Sequence, residues 1–194
     1  MKKTLFFGLV ITVFFVVTGI FYFMGRSGFS PDIFAGERSV ATVPVDISES
    51  AKSSKVHLYF ADRNSAFLIA EQRTLGYFED VNRLGRAIID ALIIGPNSKK
   101  SNLVPTLPKQ TKLRTFFITS DNVAYVDFTR AVADSYPGGC NLEMLTIYSV
   151  VNTLVLNSEE IDAVKIMIQG KDVPTLAGHI AALEPFKANM LLVR

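Results

Sequence analysis

The sequence predicts an α+β fold: a two-layer sandwich whose mostly antiparallel sheet carries two helices on one face, preceded by one N-terminal transmembrane helix. Three observations lead to this prediction. Apolar residues alternate in several short segments, as in half-buried strands, and recur every three or four residues in two longer segments, as in amphipathic helices. A long uncharged apolar run opens the chain. Antiparallel strands with amphipathic helices on one face make a layered α+β domain.

The apolar run predicts a membrane anchor at residues 1–25. From Thr4 to Gly25 there is no charged residue, and these residues would form roughly 33 Å of helix, enough to cross a bilayer core of about 30 Å. Lys2 and Lys3 precede the run, so the positive-inside rule places the N-terminus in the cytoplasm. We therefore expect a single-pass protein of the cytoplasmic membrane whose remaining residues are extracytoplasmic.

A cleaved signal peptide is the alternative interpretation of the same run. Signal peptides have an apolar region of about 7–15 residues followed closely by a small-x-small cleavage site. Here the run is longer, and the nearest candidate, Gly25-Arg26-Ser27, contains an arginine. The sequence favours an uncleaved anchor.

Charge and cysteine content limit the classes of function. The chain has 20 Lys and Arg against 18 Asp and Glu, and two of the lysines precede the anchor, so the exported part is neutral overall. A neutral domain lacks the basic face that nucleic-acid binding requires. Cys140 is the only cysteine, so an internal disulfide is excluded. We expect Cys140 to be a small buried residue near a helix start, and a reactive thiol is the alternative.

The exported part is divided into a linker and one domain. Residues 26–54 are rich in Ser, Gly and Pro, show no sustained period and are predicted to be a flexible linker. Residues 55–194 form the predicted domain. Its elements, in order, are a strand at Lys55–Asp62, a strand at Ala66–Leu75, a helix at Glu79–Ile94, a hairpin at Lys112–Phe128, a helix at Asn141–Leu156 and a strand at Asp162–Gly170.

Polar residues mark several turns and helix ends. Asp121 and Asn122 tolerate positive φ and are predicted to form the hairpin turn. Asn141 is predicted to be the N-cap of the second helix, and Glu143 suits the positive end of its dipole. Asn152 and Thr153 are poor helix formers in the middle of that helix. We expect them to bond inward, and contact with a partner is the alternative.

Five motifs in order resemble the GerMN domain family of sporulation and germination proteins. They are "ALIIGP" (91–96), "LVPTLPKQTKL" (103–113), "VAYVDFTRAV" (123–132), "VVNTL" (150–154) and "VKIMIQGKDVPTLAGHI" (164–180). The resemblance covers about Val56 to Phe186. It implies a non-enzymatic extracytoplasmic module whose fold is similar to the ring-building motifs of secretion and sporulation complexes. Relatives usually carry two copies behind a lipidated cysteine, whereas this chain has one copy behind a predicted anchor.

The residues that could carry chemistry do not form a recognisable pattern. His57, Asp127, Cys140 and His179 are the candidates for a nucleophilic or metal site, but no metal-ligand spacing or triad-like arrangement is present. We expect no catalytic residue, no metal and no cofactor. Asp127, at a strand end, is predicted to cap the following turn by accepting backbone N–H bonds.

The segment Gly95–Arg114 contains five basic residues and no acid. Its candidate partner-binding residues are Lys99, Lys100, Lys109, Lys112 and Arg114. Such a segment suits an acidic protein, a wall polymer or anionic lipid headgroups, and an ordinary solvated loop is the alternative. The predicted function is a protein–protein assembly module of the cell envelope, which binds envelope proteins or copies of itself. The alternative function is binding of wall glycan or polyanion.

Overall fold

The computed structural model describes residues 53–97, 102–136 and 138–194. The predicted anchor at 1–25, the linker up to residue 52, and the candidate residues Lys99 and Lys100 lie outside these ranges. Within the described ranges, no helix has the length and apolar character needed to cross a membrane.

The described residues form an α+β domain, as predicted. The strands are β1 (Ser53–Asp62), β2 (Leu68–Gly76), β3 (Leu103–Val104), β4 (Leu113–Ile118), β5 (Val123–Phe128), β6 (Ala163–Ile168) and β7 (Lys171–Asp172). The helices are α1 (Val81–Ile94), α2 (Ala131–Asp134) and α3 (Cys140–Val155), and a 3-10 helix spans Met190–Leu192. All six predicted elements are present within a few residues of their expected bounds.

The strands form two sheets, where one was predicted. The first has the order β2-β1-β3 and the second the order β4-β5-β6-β7. All pairs are antiparallel except β5 and β6, which run parallel because α3 crosses back between them. The two sheets remain separate because side chains of α3 occupy most of the edge of β1 that β2 does not cover.

The larger of two hydrophobic clusters among the described residues lies between the helices and the sheets, and the smaller comprises Tyr59, Ala61, Leu68 and Leu145. In β5 and β6 the inward residues are the even-numbered ones, including Val126, Phe128 and Ile166, all nearly or fully buried. Helix α1 packs on β4 so closely that a Cβ added to Gly85 would lie 2.2 Å from the Phe116 ring. Only glycine fits at that crossing.

The ends of α1 follow the expected capping chemistry. Asp80 accepts a hydrogen bond from the Asn82 N–H at 2.9 Å, and Gly95 ends the helix at φ 93°. The Asn82 side chain also accepts the N–H of Ile118 at 3.0 Å, which fixes the start of α1 to one end of β4. In the β4–β5 hairpin, Asn122 adopts the predicted positive φ, at 59°.

Two predictions for the start of α3 are wrong. The N-cap is Gly139, not Asn141, whose side chain instead donates to the carbonyl of Ser65. Cys140 is exposed rather than buried. It opens the helix directly after two exposed glycines, and the face of α3 that packs on the domain begins only at Glu143.

Candidate functional site

Helix α3 completes the hydrogen bonds of a neighbouring strand. Asn157, just past the helix, accepts the His57 N–H at 2.8 Å and donates to the His57 carbonyl at 2.7 Å. Thr153 accepts the Tyr59 N–H at 3.0 Å, and Ser149 donates to the Tyr59 carbonyl at 2.6 Å. Positions four apart on a helix are about 6 Å apart, close to the 6.6–6.8 Å between alternate strand residues. These polar side chains therefore make the hydrogen bonds to β1 that a neighbouring strand would otherwise make.

The prediction that Asn152 and Thr153 bond inward is confirmed. Both side chains are fully buried. Asn152 exchanges two bonds with the backbone of Asn189, at 3.0 Å and 2.9 Å, and so attaches the C-terminal segment to α3. Asn152 and Thr153 therefore stabilise the packing of α3 against its neighbouring segments.

Glu143 is a buried carboxylate that organises the loop after β7. It has no exposed surface and accepts backbone N–H bonds from Leu176, Ala177, His179 and Ile180 at 2.8–3.3 Å. Burial raises the pKa of Glu143, but the bonds from Ala177, His179 and Ile180 outweigh it, and the net pKa lies below its ordinary value. The sequence predicted only that Glu143 interacts favourably with the helix dipole. It did not predict that Glu143 binds the loop after β7.

Three of the four candidate chemical residues have separate structural partners, and Cys140 is exposed. His57 contacts Asn157 through its backbone, and the His179 ring contacts Glu143. Asp127 does not cap the turn that follows it. Its Oδ1 accepts the N–H of Gly170 at 2.8 Å, because the parallel pairing of β5 with β6 brings that distant turn closer. Among the described residues, no three His, Cys, Asp or Glu side chains could hold a metal ion together.

One end of the second sheet gathers four basic side chains from three different segments. Leu113, Phe128, Ile168 and Lys171 lie in one row across the four strands, because they are paired in register. Three strand spacings make this row about 14 Å wide. The cations at this end, all exposed, are Lys112, Arg114, Arg130 and Lys171. We call these four residues the basic end.

The cations of the basic end are not equally available. Arg114 Nη1 lies 2.6 Å from Oδ2 of the buried Asp127, and Arg130 Nε lies 3.3 Å from Asp134. Lys112 and Lys171 form no ion pair with any residue that the structure describes. Their charges are therefore the ones most available to a partner.

An open cavity of about 320 Å³ borders the basic end. Arg130, Gln169, Lys171 and Thr175 contribute polar groups to its wall. Asp172 also lines it, but its carboxylate lies 3.5 Å from the buried Lys165 Nζ, which offsets part of its charge. The cavity is large enough for a small anionic group.

The structure brings together only part of the predicted basic segment. Lys112 and Arg114 belong to the basic end, and Lys109 is exposed in the preceding turn. Arg130 and Lys171 were missed. The sequence contained a signal for these two residues. Arg130 and Lys171 each lie within three residues of the end of β5 or β6, and the carboxyl ends of parallel strands lie at one edge of a sheet. The pairing of β5 with β6, however, was not predicted as parallel.

Comparison with known proteins relates most of the domain to a described family. Residues 57–174 match the Germane domain, described as sporulation and spore germination. No curated protein matches the chain significantly. Among solved structures, the chain is similar to a Clostridium perfringens protein described as a candidate lipoprotein. The two share 27% sequence identity, with a TM-score of 0.51 over 70% of this chain and 87% of that one.

Two further structures share the fold. They are the tandem GerMN domains of the sporulation protein GerM from Bacillus subtilis, with 20% identity and a TM-score of 0.54, and the first of those domains alone, with 21% and 0.52. Each alignment covers 70% of this chain. It covers 46% of the tandem structure and 97% of the single domain.

Proposed function

This chain belongs to the Germane family of sporulation and spore germination domains, and from that premise we propose that it is a non-enzymatic assembly module of the cell envelope. The membership confirms the resemblance to GerMN domains given by the five sequence motifs. In this proposal the domain lies outside the cytoplasm, held at the membrane by residues 1–25, and acts through its surface.

Two features support an assembly role. Several polar side chains that could have carried chemistry instead stabilise the fold: Glu143 and His179 hold a loop, and Asp127 holds Arg114 and Gly170. The similarity to a candidate lipoprotein supports a location in the envelope.

The observation that carries the proposal is the basic end. Lys112 and Lys171 are exposed, come from opposite edges of one rigid sheet, and have no ion pair with the described residues. A protein partner with an acidic surface would meet them without displacing internal bonds, and such charges mainly set association rate and partner choice. We therefore place the partner-binding surface at the basic end.

The test is partner capture by in vivo crosslinking of the full chain. The double variant Lys112→Glu/Lys171→Glu is expected to reduce capture about tenfold, since two exposed contacts of roughly 0.5–1 kcal/mol each are reversed. The matched control is Arg83→Glu/Arg86→Glu on the exposed side of α1, whose start lies at the opposite end of β4. Equal capture by both variants would remove the basic end from the partner-binding surface.

The cavity beside the basic end favours a second candidate function, the binding of an anionic wall polymer. A cavity lined by Arg130, Lys171, Gln169 and Thr175 offers both charge and hydrogen-bond donors to phosphate or carboxylate groups. This function predicts direct, salt-sensitive sedimentation of the purified full chain with protein-free cell walls. Lys112→Glu/Lys171→Glu would abolish that sedimentation. Capture of a protein without any wall binding would support assembly instead.

A further inference from the structure

Among the described residues, the outer edge of β2 is bonded to other backbone groups only at Leu68. The carbonyl of Leu68 accepts the N–H of Arg194 at 3.0 Å, so the backbone groups of Leu68 point away from β1. Backbone groups alternate in direction along a strand, so those of Ala70, Gln72, Thr74 and Gly76 point the same way. Within the described part of the chain, none of these four has a backbone partner on that side.

Three other strands have bonds to non-strand residues along an edge. Ser149, Thr153 and Asn157 occupy the far edge of β1. Asn82 accepts the Ile118 N–H at the outer edge of β4, and Phe186 exchanges two bonds with Val164 beside β6. Among the described residues, the edge of β2 thus differs from the far edge of β1, where successive outward-facing residues are bonded.

Strand β2 lacks two of the features that usually protect an edge, a proline and a bulge, and its charged residues Glu71 and Arg73 lie on the inner face, where they bond to each other. Its nine residues pair with β1 in one continuous register without a bulge, and contain no proline. The side chains that alternate outward, Ala70, Gln72 and Thr74, are exposed and uncharged. Natural edge strands are normally protected by charges, prolines or bulges against pairing with another chain.

We propose that this edge of β2 pairs antiparallel with the same edge of a second copy of the chain. The inference deepens the proposed assembly role by naming one partner, and it does not involve the basic end. A closed two-fold dimer is the commonest homo-oligomer, and an edge strand meets its own copy antiparallel across the two-fold axis.

The C-terminus fixes the register of the pairing. Val193 and Arg194 already lie against Leu68, so a partner strand cannot extend past Ala70. Centred on Thr74, the pairing faces Gln72 with the partner's Gly76 and forms about six backbone hydrogen bonds, two for each of three facing pairs. Centred on Gln72, it would bring the partner's Thr74 next to Arg194.

The side chains fit the Thr74-centred register. Gln72 would lie beside the partner's Gly76, which has no side chain to obstruct it. On the opposite face, Arg73 would lie across from the partner's Leu75, so that no like charges meet. Like charges placed directly opposite would oppose pairing, and this register avoids them.

A cysteine crosslink tests both the pairing and its register. In an antiparallel hydrogen-bonded pair the Cα atoms are about 5.5 Å apart, within disulfide range. The full chain with Thr74→Cys and Cys140→Ser, oxidised in membranes, is expected to run mainly as a disulfide-linked homodimer. The matched control is Thr115→Cys in the same background, an exposed threonine on β4 of the other sheet. It is expected to remain monomeric.

The outcomes that overturn the proposal are specific. With Gln72→Cys, the two sulfur-bearing residues would be about 14 Å apart along the strands, so efficient crosslinking there would refute the register. Absence of the Thr74→Cys homodimer, or its linkage to a different protein, would refute pairing with a second copy.

A substitution without cysteine provides an independent readout. Thr74→Pro removes the N–H that faces the open edge, and proline is tolerated in edge strands where the N–H faces solvent. The homodimer fraction of the full chain in detergent, measured by sedimentation, is expected to fall at least tenfold relative to Thr74→Ala, which keeps the N–H. Equal dimer fractions in the two variants would contradict the proposal. If circular dichroism shows that Thr74→Pro is unfolded, the Thr74→Cys crosslink alone determines whether the proposed pairing is correct.

Discussion

Glu143 Oε2 lies 2.9 Å from Nδ1 of His179 and 2.8 Å from the backbone nitrogen of the same residue. The carboxylate stands in the first turn of α3, where the helix dipole also favours a negative charge. Its other oxygen accepts three further N–H groups of the loop after β7. This one side chain therefore supplies acceptors that loop residues 176–180 would otherwise have to find in water.

Replacing Glu143 is expected to destabilise the domain. Glu143→Gln keeps the shape but turns an amide NH₂ toward groups that donate, so about 2–4 kcal/mol of unfolding free energy would be lost. Urea unfolding followed by circular dichroism measures the change. Glu159→Gln, at an exposed carboxylate, is the control and is expected to shift stability by less than about 0.5 kcal/mol.

The same carboxylate predicts an acid dependence of stability. The folded pKa of Glu143 lies below its ordinary value of 4.5, because the N–H bonds outweigh burial. The unfolded chain therefore takes up the proton first as the pH falls. The stabilisation is complete above about pH 4.5 and is lost as the pH drops toward the folded pKa.

Unfolding curves at several pH values in this acid range check that dependence. Glu143→Gln is expected to show a shallower loss of stability with falling pH than the unaltered chain. Asp62 contributes in the same direction, because backbone N–H bonds from Phe67 and Ala66 lower its pKa. Identical acid slopes for Glu143→Gln and the unaltered chain would show that the carboxylate is not linked to folding.

Asn157→Ala is expected to open the edge of β1. The change leaves the His57 N–H and carbonyl without their side-chain partner, at a cost of about 0.5–1.5 kcal/mol, because water can reach these exposed groups. Hydrogen exchange should show faster exchange of the His57 amide, while Asn64→Ala, at an exposed loop asparagine, leaves it unchanged. Unaltered protection in Asn157→Ala would mean that the edge is closed in another way.

Gly85→Ala is expected to destabilise the domain although alanine favours helices. The added Cβ would lie 2.2 Å from the buried Phe116 ring, so the ring or α1 must move, at about 1–3 kcal/mol. Thermal unfolding measures the loss. Asp90→Ala, at an exposed position of the same helix, is the control and should shift stability by less than about 0.5 kcal/mol. A stabilised Gly85→Ala would indicate that the helix propensity gain of about 1 kcal/mol prevails.

Local patterns predicted the elements of this fold correctly. Two of these patterns correspond to inward-facing sides of elements in the structure. One is the helical spacing of Leu84, Ile88 and Leu92, and the other is the alternation of Val164, Ile166 and Ile168. These patterns are readable because a helix or a strand buries one face at a period that its own backbone sets. The inward role of Asn152 and Thr153 was predictable for a similar reason, since such residues rarely occupy a helix interior without partners.

Partners distant in the sequence were not predictable in this way. Whether Asp127 capped its own turn or that of Gly170 depended on the parallel pairing of β5 and β6, which no local period encodes. The basic end was predicted only in part for the same reason. Lys112 and Lys171 lie at the same end of the sheet only because four strands pair in register.

The sequence by itself determined which segments are helices and strands, which faces are apolar, and which family the domain resembles, because those properties are local or ordered along the chain. Only the tertiary structure decided which buried polar groups bond to each other and which strand edge stays open. Asn157 reaches His57 across 100 residues of sequence, and Thr153 reaches Tyr59 across 94. A hydrogen bond requires its two atoms to lie about 3 Å apart, and only the packed chain brings them to that distance.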